Sequence, residues 1–134
     1  MKTHLSTKLK YFLKAFDLTV PTLNANTGIS VDNIRNIVAA RNAKISNFET
    51  ISRIYGIKLE AFTNTESTPL TTESFYKICD FLSHNIQNLP KSQHINIERA
   101  SSLLSKACFL YNSGAYNQEE LEKFISAEIK KAAS

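Results

Sequence analysis

Residues 19–41 read TVPTLNANTGISVDNIRNIVAAR, and this stretch decides the fold. A helical period runs to Asn26, breaks at Thr27-Gly28-Ile29-Ser30 and restarts at Val31. Gly28 can take the positive φ that a sharp turn between helices needs. Ser30 can accept from the free N–H groups that open the next helix, and Thr19 can do the same one helix earlier. Pro21 fits a first turn, where its missing N–H costs nothing. Leu23, Ile34 and Ile37 face a core, and Ile29 plugs the angle between the two helices. The second helix, residues 31–40, then turns Val31, Asp32, Asn33, Arg35 and Asn36 outward.

Working outward, residues 5–16 form a helix with Leu5, Leu9, Phe12, Leu13 and Phe16 at helical spacing. Lys8, Lys10 and Lys14 fall elsewhere on its surface, where they either solvate a face or touch phosphates. Beyond the opening stretch, Ile45, Phe48, Ile51, Ile54 and Tyr55 make the apolar stripe of a fourth helix. Gly56 ends it, and residues 59–62 add one further turn. Residues 63–69 are polar and lack any apolar period, so 64–71 reads as a linker between a unit of 1–63 and a helical region of 72–134. That region carries three stripes. The first is Phe75, Ile78, Cys79, Leu82, Ile86 and Leu89. The second is Ile97, Ala100, Leu103, Leu104, Ala107, Cys108 and Tyr111. The third is Leu121, Phe124, Ile125 and Ile129, opened by a capping pair, Asn117 and Glu120. No strand-like alternation interrupts them, and an all-α chain follows.

Leu9, Phe12, Leu18, Leu23, Gly28, Ile29, Ser30, Ile34 and Ile37, followed by Ile51, Gly56, Ile57, Leu59 and Phe62, resemble the core and turn of the Cro/phage-repressor helix-turn-helix family (XRE-type, lambda-repressor-like). The resemblance covers residues 9–62. It implies a five-helix DNA-binding domain, with base contacts at Val31, Asp32, Asn33 and Asn36. Phosphate contacts are expected at Thr22, Arg35, Arg41, Asn42 and Lys44. The chain departs from the family at five positions. Val20 replaces a glutamine that touches DNA, and Asn24 replaces a small alanine. Leu13 and Val38 stand together where the family often has a buried ion pair, an exchange that packed apolar side chains tolerate. Ala40 replaces a glycine, so a changed turn is expected there.

The chemistry of these side chains suits the reading. Asn pairs with adenine N6 and N7, Asp accepts from cytosine N4, and Val meets a thymine methyl. Asp32 also repels phosphate and so acts partly by rejection. The basic loop of Arg41, Asn42 and Lys44 opens a helix, a setting that suits a phosphate. Residues 1–65 hold nine Lys/Arg against four Asp/Glu, while the remainder holds seven against eight. The positive excess therefore lies with the helix-turn-helix.

Other functions find little footing. His4, His84 and His94 have no second His or Cys at helical spacing, and Cys79 and Cys108 form no C-x-x-C pair, so no metal or other cofactor is expected. Serines fall in no nucleophile-elbow pattern and no phosphate-cradling glycine loop occurs, so an enzyme is not expected. The two cysteines read as reduced core thiols of a cytoplasmic protein, and no apolar run suits a membrane. The expected partners are double-stranded DNA, a second copy in a homodimer, and a protein partner through the C-terminal helices. The rival reading is a protein-interaction module of antitoxin or anti-repressor type. A ligand sensor with a pocket between the last three helices ranks third.

Overall fold

Five short polar side chains set where helices begin. In the computed structural model, which describes residues 2–133 and their side chains from His4 onward, Thr19, Ser30, Thr71, Asn96 and Asn117 each accept from the backbone N–H three residues on. Each thereby satisfies a donor that the helix itself leaves free. The elements are α1 (Lys2–Ala15), α2 (Val20–Thr27), α3 (Val31–Val38) and α4 (Ile45–Tyr55). They continue with α5 (Glu60–Thr63), α6 (Thr72–Gln87), α7 (Ile97–Asn112) and α8 (Gln118–Ala132). Among the described residues these eight helices are the regular structure, and there is no strand.

One cluster of buried apolar side chains runs through all eight helices. Phe109 of α7 is its hub. Its ring lies 5.2 Å from Tyr11, 5.8 Å from Phe12, 6.1 Å from Phe16 and 6.0 Å from Phe62. The sequence pattern left Phe109 and Leu110 off the α7 stripe, yet both are buried. The reason is that α7 is packed on two sides, by α1 and by α6 with α8, so a single stripe understates what it buries.

The same fact corrects the reading of Lys8. It is not a surface lysine: only 7% of it is exposed, and its Nζ donates to the Ser113 carbonyl at 2.9 Å. Burial pushes its pKa below the ordinary lysine value.

Other exposures also differ from the expected stripes. Ile45 and Ile54 are 47% and 39% exposed, which leaves Phe48 and Ile51 to bury α4. Ile97 is 82% exposed at the start of α7. Tyr76, on α6, is 61% exposed.

Residues 64–71 contain no helix and run along the end of α7. Thr68 N–H donates to the Asn112 carbonyl at 3.0 Å, and Asn112 Nδ2 donates to the Thr68 carbonyl at 3.1 Å. Gly114 lies under this strap with φ +79°, and a Cβ there would sit 2.9 Å from the Glu66 carbonyl oxygen. Only glycine meets both demands. No helix among the described residues is long and apolar enough to cross a membrane.

Candidate nucleic-acid interface

The α2–α3 turn is held by backbone and side chains together. Gly28 has φ +78°, and its N–H donates to Asn24 O at 2.8 Å. Thr27 Oγ1 donates to Leu23 O at 2.6 Å and accepts from Ile29 N at 3.2 Å. Asn24, at the position where the resembled family keeps alanine, is half-buried, and its Nδ2 donates to the Ile29 carbonyl at 2.7 Å. Its extra atoms thus clamp the turn from inside. Asn26 Nδ2 donates to the Tyr55 hydroxyl at 2.9 Å and ties α2 to α4. Such bonds fix the angle at which α3 leaves the turn.

α3 has two unlike faces. Ile34 and Ile37 are buried, and α3 packs on α1 and α2. Asp32, Asn33 and Arg35 are exposed, while Val31 and Asn36 are half-exposed. Ser30 Oγ caps the helix by accepting from Asn33 N at 3.1 Å. At its far end Ala40 takes φ +59°, and Arg41 N–H reaches back to Asn36 O at 2.7 Å. The left-handed turn expected of a glycine is therefore kept, not altered, and Ala40 carries a strain of about 1–2 kcal/mol there.

The two positions of the absent ion pair behave as packing residues. Leu13 and Val38 are both half-buried against the core. The bond that ties α1 to the end of α3 is made by Ser6, whose Oγ donates to Val38 O at 2.7 Å. Val20 is likewise half-buried on the core and offers no hydrogen bond to the outside.

Arg41, Asn42 and Lys44 are exposed between α3 and α4. Lys44 occupies the N-cap position of α4 without capping it through its side chain. The first N–H groups of α4 therefore open beside these basic residues. Thr22 is exposed, but its hydroxyl shares a 2.8 Å hydrogen bond with Thr19 Oγ1. Among the described residues, the side chains of Asp32, Asn33, Arg35, Asn36, Arg41, Asn42 and Lys44 have no hydrogen-bond or ion-pair partner.

The positive excess of the first 65 residues is smaller at the surface than in the sequence. Lys8 is spent on Ser113. Lys58 Nζ bonds the Ala115 carbonyl at 3.0 Å, pairs with Glu120 and lies 5.1 Å from the centre of the Tyr116 ring. Its backbone N–H donates to the Tyr116 hydroxyl at 3.0 Å. The Lys58 hydrogen bond, then the Asn117 N–H, holds the Glu120 carboxyl below its ordinary range. Lys10, Lys14, Arg35, Arg41, Lys44 and Arg53 remain exposed; the Lys2 side chain, counted in that excess, lies outside the described ones.

Two features of this region escaped sequence reasoning. Ile45, read as core, is exposed beside Lys44, and nothing in its period marked it as different from Phe48. Asn24 as a clamp was legible only as a departure from a small residue. Burial pushes the thiols of Cys79 and Cys108 up, away from the thiolate form. Among the described residues no group of three or more His, Cys, Asp or Glu side chains gathers to hold a metal ion. No family model, curated protein or solved structure matches the chain.

Proposed function

We propose that the chain is a sequence-specific double-stranded DNA-binding transcriptional regulator. In this reading the first five helices form a lambda-repressor-like helix-turn-helix domain and α3 reads the major groove. One observation carries it. Asp32, Asn33 and Arg35 stand exposed and unpartnered on a short helix whose opposite side, Ile34 and Ile37, is buried. The helix is fixed at both ends, by the Ser30 cap and the Ala40 turn. Such a helix meets base edges without first rearranging.

In the groove, Asn33 and Asn36 pair with adenines, Asp32 accepts from a cytosine N4 and Val31 meets a thymine methyl. Thr22, Arg35, Arg41, Asn42 and Lys44 hold phosphates and set the register. A homodimer places two such helices on half-sites about 34 Å apart. Selection of bound sites from a random DNA library tests the reading. Recovery of an inverted repeat supports it, and the absence of any enriched sequence overturns it.

A second reading is a protein-interaction module of antitoxin or anti-repressor type on the same scaffold. Ile45, 47% exposed next to Lys44, favours it, because it adds an apolar edge to the face otherwise assigned to DNA. A gel shift with total genomic DNA at moderate salt separates the two. No retention at micromolar protein favours the module.

A further inference from the structure

Where α1 meets α6 and α7 the surface holds a recess of about 370 Å³, within the size range of small-molecule sites. One side of it is apolar, formed by Phe75 of α6 with Leu104 and Cys108 of α7. Leu104 and Cys108 are one turn apart and so share a face. Burial keeps the Cys108 thiol protonated, so this wall carries no charge.

The other side is polar. Tyr11 and Lys14 of α1, three residues apart, bring a phenol and an ammonium to one face. Ser105 of α7 adds a hydroxyl. The Tyr11 ring is fixed edge-on against Phe109, with centres 5.2 Å apart and planes at 77°. Burial, and then Cys108, raise its pKa, so the phenol keeps its proton and can donate. Among the described residues, none of these three head groups has a hydrogen-bond or ion-pair partner. No carboxylate lines the recess. Glu73, two residues from Phe75, is neutralised by Lys77 at 3.5 Å, and Asp80 is exposed on α6 outside the lining.

We propose that this recess binds a small aromatic monocarboxylate. The ring lies against Phe75, Leu104 and Cys108, while the carboxylate accepts from the Tyr11 and Ser105 hydroxyls and pairs with Lys14. Donors and a cation without any anion select a negative ligand, and unpartnered donors have no internal bond to give up first. The shape selects a ring over a chain. α1 and α7 each contribute about one turn, roughly 6 Å of helix, and Phe75 offers a ring to stack on. The inference stands apart from the DNA reading, since no residue of the recess lies on α3 or in the loop after it.

Calorimetric titration of the full chain with 2-naphthoate tests this, with circular dichroism to confirm that each variant is folded. Binding is expected at about 1 mM or tighter. 2-Naphthamide, the same ring without the charge, is expected to bind at least threefold more weakly. Lys14→Gln should cost about three- to fivefold and erase the preference for the acid over the amide. Ser105→Phe, which puts a ring into the recess from an exposed position, should abolish binding. Lys10→Gln, one turn earlier on α1 and outside the recess, should leave it unchanged. Absence of binding up to about 10 mM overturns the proposal. Equal affinity for acid and amide overturns it too, as does binding that survives Ser105→Phe unchanged. Tighter binding of octanoate than of 2-naphthoate would contradict the aromatic class.

Discussion

Lys8 Nζ donates to the carbonyl oxygen of Ser113 at 2.9 Å, joining α1 to the end of α7 across 105 residues. This bond, the Phe109 ring cluster and the Lys58–Glu120 pair seat the second half of the chain on the back of α1 and α5. The α2–α3 face is left clear. The same contacts bury Lys8 and pair Lys58 with Glu120, so the unpaired positive charge of the first half rests on a few other exposed residues.

Lys8→Met is expected to be neutral or stabilising at pH 7, within about 1 kcal/mol, because an apolar chain of similar length removes a buried charge along with its single hydrogen bond. Burial lowers the folded-state pKa of Lys8. The cost of burying the charge is therefore fully present below that folded value and fades as pH rises toward the unfolded value, about 10.4. Urea denaturation at neutral and alkaline pH checks this. The gap between variant and wild type should shrink on the alkaline side. Tyr11 and Tyr116, whose pKa values burial raises, oppose the trend equally in both proteins and cancel in the difference.

The Glu120 carboxyl works in the opposite sense. Its folded pKa lies below the unfolded one, so its contribution is complete above the ordinary glutamate value, about 4.3, and is lost as pH falls through the folded value. Acid denaturation followed by circular dichroism should show wild type losing its advantage over Glu120→Gln below about pH 4.5. Parallel acid curves would rule out the Lys58 pair as the cause.

Ala40→Gly should stabilise the fold by about 0.5–1 kcal/mol, since glycine accepts the positive φ of +59° that alanine adopts under strain. Thermal denaturation reads this directly. DNA affinity should be unchanged, because the backbone turn is the same.

Arg41→Ala and Lys44→Ala should weaken binding to every DNA sequence alike, and each should reduce the slope of log K against log salt by about one. Fluorescence anisotropy across a salt series measures both effects. A change in sequence preference would mean that these residues touch bases instead of phosphates.

The helix-turn-helix was legible because its signals are local: a cap at Thr19, a left-handed glycine at Gly28, a cap at Ser30 and two isoleucines three residues apart. The Asn117–Glu120 capping box was legible for the same reason. Lys8 was not, because its partner is remote in sequence and its place on α1 looks like any surface lysine. Phe109 was hidden by a helix that buries more than one stripe, and Ile97 by the assumption that an apolar residue at helical spacing points inward. The outward set on α3 was read from period alone: the structure exposes Asp32, Asn33 and Arg35 and leaves Val31 and Asn36 half-exposed. Binding measurements test these residues directly.

The most direct of these uses Asn33→Ala and Asn36→Ala, titrated against a selected DNA site and against random DNA. Each is predicted to lose about 1–3 kcal/mol on the selected site and much less on random sequence. Equal losses on both DNAs, or no loss on either, would contradict base reading by α3.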